Sequence, residues 1–417
     1  MDNSPSTAYH SPQVLKFNQD ARASHLQIDL SEAALIAAAR QETGLERFGD
    51  ESFLPAMRAM LNAVETEAQL NPFGRATARN RTLRSLKNRL WANACFEAHP
   101  EIQRRKIVAP LIIIGPHRSG TTRIQRMLAS DARLQHLKAW EGINPAPRPG
   151  WPDLGREARQ AEARKMLDDG LRINPEARIA HPMDADWPEE DAQLLNHSFC
   201  GMANLSLYNV TDYYPWFLAA DKGPGYRYLA EQMKLISWAR GNPEDQPWML
   251  KNPQHMLNLD VLMQTFPDAK LVFTHRDPLK TVGSVMSLMW LYGVQNTDLP
   301  CRAHIREVWL DLCERMVRRC MEVRETIPAG QQIDVYYEDM NRDWRAVVGK
   351  IYQFAGLELT PAAEHGMEAW LAESEREGRH TGHRYALEDF GTNREEVDAR
   401  MRFYRERFNI PYENKKS

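Results

Sequence analysis

Val108-Ala109-Pro110-Leu111-Ile112-Ile113-Ile114-Gly115-Pro116-His117-Arg118-Ser119-Gly120-Thr121-Thr122 begins as a short apolar run and breaks at a glycine. A helical pattern, Arg123-Ile124-Gln125-Arg126-Met127-Leu128, follows it. A continuous run rich in β-branched residues is how a strand buried on both faces reads, as in a parallel α/β sheet. A strand, a glycine loop and a helix start together form an anion cradle. Backbone N–H groups point inward, and the helix dipole adds partial positive charge. Gly115 and Gly120 allow close approach of the backbone; Ser119, Thr121 and Thr122 add hydroxyls, and Arg118 adds a permanently charged fork. The spacing is Gly-x4-Gly-Thr-Thr, whereas a nucleotide triphosphatase loop carries Lys where Thr121 stands. Such a loop suits one bridging phosphate better than a triphosphate. Alone, it also fits a Gly-Thr turn that merely caps a core helix.

Two more strand patterns lie downstream, Ala269 to His275 and Ile333 to Tyr337, alternating with helical segments. The expected fold class is therefore α/β, a P-loop-type three-layer sandwich with a central parallel sheet. Residues 107–417 form that domain, interrupted by a Pro-, Trp- and Arg-rich insertion at 145–246. Helices are expected there near 156–172, 188–203 and 224–240. Upstream, apolar residues at helical spacing (Leu35, Met57, Leu61, Leu83, Leu86, Leu90) predict a helical region over 27–106, and 1–26 reads as a flexible tail. The helical region and the insertion are expected to wall the acceptor site. Trp140, Trp151, Trp187, Tyr213, Trp216 and Phe217 predict an aromatic lining there, suited to a partly hydrophobic small molecule.

Composition narrows the class. The 417 residues carry a formal net charge of −3, with 43% hydrophobic and 26% charged residues, the profile of a globular chain without a nucleic-acid partner. The five cysteines are odd in number and contain no CxxC, so the reading expects a reducing cytoplasm rather than a disulfide framework. No apolar stretch reaches the roughly 18 residues a membrane span needs, and the polar N-terminus does not read as a secretory signal. Oligomeric state is not legible.

Gly-Pro-His-Arg-Ser-Gly-Thr-Thr after an apolar strand resembles the 5′-phosphosulfate loop of sulfotransferases that use 3′-phosphoadenosine 5′-phosphosulfate (PAPS). The similarity is greatest to bacterial members that are themselves similar to the tyrosylprotein-sulfotransferase-like branch, and it covers roughly 80–410. It implies transfer of a sulfuryl group from PAPS to a hydroxyl or amine of a small acceptor, release of 3′-phosphoadenosine 5′-phosphate (PAP), and no required metal. In such proteins an Arg at a strand end and a Ser eight residues later hold the donor's 3′-phosphate; here these are Arg276 and Ser284. Asp277 and Pro278 mark the intervening helix start. Tyr337, in Val335-Tyr336-Tyr337-Glu338-Asp339, matches a segment near the adenosine. A late basic loop, here 379–385 with His380, His383 and Tyr385, would close over the donor. A P-loop kinase or hydrolase and a non-catalytic nucleotide binder are the alternatives.

Transfer needs a base for the acceptor proton and a cation for the leaving phosphate. The resemblance offers Glu141, in Lys138-Ala139-Trp140-Glu141, and the pair Lys251 and His255, in Lys251-Asn252-Pro253-Gln254-His255. Lys251 would stabilise the leaving oxygen. The base stays open between Glu141 and His255. The acidic run Asp184, Asp186, Glu189, Glu190 and Asp191 reads as dipole complement at a helix start.

Overall fold

The structure is a computed structural model and describes residues 8–376 and 385–413. Five parallel strands form one sheet in the order β2-β3-β1-β4-β5: β1 Leu111–Ile114, β2 Gln135–His136, β3 Trp248–Lys251, β4 Lys270–His275 and β5 Gln332–Tyr336. All five strands therefore end on the same edge, where parallel sheets carry their ligands. β1 sits at the centre, pairing Ile112 with Leu250 on one side and with Leu271 on the other.

The side chains of β1 alternate between two cores. Ile112 and Ile114 join the large cluster built with the N-terminal helices, the insertion and the helices Pro278–Gly293, Arg302–Arg324 and Arg394–Arg407. Leu111 and Ile113 face Thr121–Leu128, Trp344–Ala355 and Pro361–Arg376. All three isoleucines are fully buried, each contributing about 1.5–3 kcal/mol. Helices thus cover both faces of the sheet, the three-layer arrangement expected.

Two expectations need correction. Within the supposed tail 1–26, Pro12–Ala23 is a helix, with Ser11 Oγ accepting from the Val14 amide and Val14, Asn18 and Ala21 buried against the helix Pro72–Ala98. Its Asn18 Oδ1 accepts from the Phe73 amide at 2.8 Å, which ties the segment down. In the insertion, Arg156–Ile173 and Gly223–Arg240 fall as expected, but 188–203 is not one helix. Ala192–Asn196 stops at a turn with Phe199 at φ 59°, and Ala203–Leu207 follows.

Candidate active site

The loop after β1 is packed tightly enough to need its glycines. A Cβ on Gly115 would lie 2.0 Å from Thr274 Oγ1, and one on Gly120, at φ +92°, would lie 2.8 Å from the Tyr337 ring. Arg118 itself takes a left-handed φ of 67°. Ser119 Oγ donates to the Pro116 carbonyl at 2.6 Å and shares a 2.6 Å bond with Thr274 Oγ1, so this hydroxyl braces the loop against β4. Thr121 opens the helix Thr121–Leu128 and is buried. A small cavity borders Ser119, Gly120, Arg123 and Tyr337.

Beside the loop, the second predicted group assembles. Arg118 Nε donates to Ser284 Oγ at 3.0 Å, and Arg276 Nη1 donates to the Arg118 carbonyl at 2.8 Å. The Arg276 guanidinium lies 3.8 Å from the centre of the Tyr337 ring. Residues spread from 118 to 337 thus meet at the ends of β1, β4 and β5. Burial, joined by the like charge of Arg276, lowers the Arg118 pKa against the pull of Tyr292. Burial opposes the charge on Arg276 too, but Glu413 and Tyr337 outweigh it and raise its pKa. Glu413 came from no motif: its carboxylate takes Arg276 Nε at 2.7 Å and Nη2 at 3.0 Å. His380 and His383 lie outside the described residues. Tyr385 is placed, its hydroxyl donating to the Lys280 carbonyl at 2.9 Å and its ring packed over Gly283, beside Ser284.

The third group gathers at the end of β3. Lys251 is fully buried; its Nζ donates to Thr122 Oγ1 at 3.2 Å and pairs with the Glu190 carboxylate. Lys251 is therefore brought to the anion loop. His255 is also fully buried, held between the Tyr226 hydroxyl at 2.9 Å from Nδ1 and Asp191 Oδ2 at 2.9 Å from Nε2. Asp191 in turn accepts from the Lys251 amide at 3.0 Å. Burial pushes the Asp191 pKa up, yet His255 and Asn252 outweigh it, and the net direction is down.

Glu141 is not brought to this cluster. It is 2% exposed, and its carboxylate accepts two bonds from Arg240, that from Nε at 2.8 Å, and one from the Lys138 amide at 3.1 Å. A carboxylate clamped this way holds the turn after β2. The acidic run is likewise more than dipole complement. Glu189 lies 3.5 Å from His181 Nε2, while Glu190 and Asp191 reach Lys251 and His255. Glu190 was missed because its partner is 61 residues away. Neighbouring acidic side chains look alike in sequence; in the fold Glu189, Glu190 and Asp191 each have a different basic partner.

None of the six rings expected to line an acceptor site borders the cavity between the N-terminal helices and the insertion. Tyr213, Trp216 and Phe217 pack on one another, while Trp140, Trp151 and Trp187 lie against Arg159, Arg148 and Arg126. These rings are engaged by packing and by cations. The cavity between the N-terminal helices and the insertion is lined largely by polar and basic side chains.

The chain matches the family model described as "Sulfotransferase family" over residues 110–361, more than half its length. It is 28% identical over 110 residues to the omega-hydroxy-beta-dihydromenaquinone-9 sulfotransferase Stf3 of Mycobacterium bovis and to that of Mycobacterium tuberculosis. That match spans 26% of this chain and 28% of the length of these curated relatives. Among solved structures, sulfotransferase STF9 from Mycobacterium avium superposes with a TM-score of 0.80 at 28% identity, covering 93% of this chain and 99% of that one. Sulfotransferase STF1 from Mycobacterium tuberculosis H37Rv does so with a TM-score of 0.76 at 29% identity, covering 90% and 99%. With the strand–loop–helix cradle and the matched residues in hand, we conclude that the chain belongs to the sulfotransferase family.

Proposed function

We propose that this protein moves a sulfuryl group from PAPS to a hydroxyl or amine of a small acceptor and releases PAP. The observation that carries the reading is the position of Lys251, whose Nζ bonds Thr122 of the anion loop and Glu190 together. The residues present fit the donor. The loop from Gly115 to Gly120 runs from the end of β1 into the start of the helix Thr121–Leu128, where backbone N–H groups favour a phosphate, and Arg276 with Ser284 and Arg118 offers a separate cationic site one strand away. Tyr337 borders the pocket beside Ser119 and Gly120, and its ring carries the Arg276 guanidinium. When bound, PAPS supplies the sulfuryl group and an already ionised phosphate leaving group.

The chain's own residues then divide the work. Glu190, with 23% of its side chain exposed, is the carboxylate placed to take the acceptor proton. Protonation of Glu190 removes its charge and breaks its pairing with Lys251. The freed ammonium can then neutralise the oxygen that leaves, so proton removal and leaving-group stabilisation are linked in one contact. Asp191 and His255 fix the backbone and direction of Lys251, and Glu141 fixes the turn after β2.

A hydroxyl acceptor is supported by the name of the mycobacterial relatives, which specifies an omega-hydroxy compound. Among the described residues no helix is long and apolar enough to cross a membrane. The five unpaired cysteines support a reducing, cytoplasmic setting. The test is twofold. PAP at matched excess should raise the melting temperature while ATP with magnesium does little, and labelled PAPS should donate its sulfur to an acceptor pool. Equal stabilisation by ATP would point to a kinase or hydrolase instead. PAP binding without transfer would leave a nucleotide binder.

A further inference from the structure

A pocket opens between the helix Pro72–Ala98 and the insertion, and no residue of the donor loop lines it. Arg81, Arg84 and Ser85 enter it from the helix; Gln193, Asn204 and Tyr208 enter from the insertion. The two arginines stand three residues apart on one helical face, where like charges repel. Other arginines nearby have carboxylates: Arg148 has Glu162, and Arg240 has Glu141. Arg81 and Arg84 pair with none among the described residues. Arg84 Nη1 has the Met166 sulfur at 2.9 Å, a weak acceptor, and Arg81 bonds the Tyr208 hydroxyl.

The field in this cavity is positive. Burial first, then Arg81, pushes the Arg84 pKa down to about 10, so Arg84 remains charged at neutral pH. His197, on the same wall, is pushed down to about 3 by burial, with Arg84, Arg89 and Arg81 adding to the effect. Two guanidiniums side by side without a counter-charge are costly, and an incoming anion offsets that cost. Hydroxyl and amide side chains around them offer further donors to the same group.

Elements that line the cavity also connect to the transfer site. Gln193 stands three residues after Glu190. Ala203–Leu207, which ends beside Tyr208, packs on Pro278–Gly293, the helix that carries Ser284. Arg156–Ile173, which carries Met166, is capped by Asn174, whose side chain donates to the Leu291 carbonyl at 2.7 Å.

We propose that this cavity is an acceptor subsite for an anionic group, a carboxylate, sulfate or phosphate monoester on the molecule whose hydroxyl lies at Glu190. This rests on the sulfuryl-transfer reading above. It narrows the acceptor class from hydroxylated molecules in general to hydroxylated anions.

Three matched phenols test it: 4-hydroxyphenylacetate, the neutral 4-hydroxyphenylethanol and the cationic tyramine. The full chain with PAPS should favour the anion by about tenfold in kcat/KM, the scale of one charge-assisted bond. Arg81→Gln and Arg84→Gln should each erase that preference through KM, leaving the anion no better a substrate than the neutral phenol. Arg84→Lys should keep part of it. Unchanged stabilisation by PAP shows that each variant is folded with its donor site intact. Transfer with no preference among the three phenols overturns the anion subsite and leaves the sulfotransferase reading standing. Equilibrium binding of the phenols beside PAP needs no turnover. Anion-selective binding that depends on Arg81 and Arg84, without transfer to any acceptor, overturns the sulfotransferase reading instead. A third arm uses inorganic sulfate alone. If it binds as tightly as 4-hydroxyphenylacetate and depends equally on both arginines, the cavity is a free-anion site and the acceptor assignment falls.

Discussion

Glu413 grips Arg276 with both carboxylate oxygens, at 2.7 and 3.0 Å. The Glu413 amide also donates to Asp277 Oδ2 at 2.8 Å, and Asp277 is in turn paired with Arg405, so the end of the described chain is clipped onto the start of the helix Pro278–Gly293. A carboxylate fork on Arg276 occupies the donors that a 3′-phosphate would use. Binding of PAP must therefore displace Glu413, and its apparent affinity is reduced by the fraction of molecules in which the pair is closed. The pair is only partly exposed, so about 1 kcal/mol is a fair scale for it. Glu413→Ala should tighten PAP about three- to tenfold in a calorimetric titration. Weaker binding would show that Glu413 supports the phosphate site rather than competing for it.

Arg276 and Ser284 should separate two ligands that differ in one group. Arg276→Ala should weaken PAP about ten- to a hundredfold, the loss of one or more charge-assisted bonds. Adenosine 5′-phosphosulfate, which lacks the 3′-phosphate, should change much less. Ser284→Ala should have the smaller effect of the two, because Ser284 Oγ already accepts from Arg118 Nε and shares its bonding capacity. Equal weakening of both ligands by Arg276→Ala would make Arg276 a support for Tyr337 and the loop.

What was legible in the sequence follows from how local each signal is. β1 and its loop declared themselves because an apolar run, a glycine and a helix start are adjacent in the chain. β3 was quoted only as a motif because it is four residues long and ends in the buried Lys251. The helix Pro12–Ala23 was hidden by its polarity, since it buries little of its surface. Ser11 followed by Pro12, a cap and a first-turn proline, was the signal that could have found it. Glu141 stands out only through the family resemblance, and nothing near it in sequence announces Arg240. Glu190 and Glu413 are paired across 61 and 137 residues, which no window reading can supply. Charge partnership is a property of the fold, and the site's division of labour rests on it.

His197 sets a pH dependence of stability. It is 3% exposed, its Nε2 lies 2.9 Å from the Gly142 carbonyl, and burial holds its pKa near 3. In the unfolded chain the same group titrates near its ordinary value of about 6.5. Below that pH the unfolded state binds a proton that the folded state refuses, so stability falls as pH drops from about 6.5 toward 3. The slope from this one residue is about 1.4 kcal/mol per pH unit. His197→Gln keeps a donor for Gly142 and removes the titration. Urea unfolding at pH 7 and pH 5 should show a smaller stability gap in the variant than in the wild type. Equal gaps would mean that His197 is protonated in the folded protein.

The assignment of the base is decided by comparing three carboxylate and histidine variants on the same assay. Glu190→Gln keeps the side chain's shape and its reach to Lys251 but removes its basicity. Turnover should fall about 10²–10⁴-fold, with PAP binding nearly unchanged. A nitrophenol acceptor, whose proton is mostly lost at neutral pH, should recover much of that loss. Lys251→Ala should also slow turnover, because the leaving oxygen loses its cation, but a more acidic acceptor should not rescue it. Glu141→Gln should behave differently. It weakens a buried clamp on Arg240, so the melting temperature should drop, by an amount corresponding to about 2–3 kcal/mol, while turnover per folded molecule stays near normal. His255→Ala should act through Lys251, since His255 and Asp191 form one buried unit with the Lys251 amide. Its effect should resemble a mild Lys251 defect and should resist rescue by nitrophenol. If nitrophenol instead rescues Glu141→Gln or His255→Ala and leaves Glu190→Gln slow, the proton goes to that residue, and the Glu190–Lys251 pair serves only to hold the lysine.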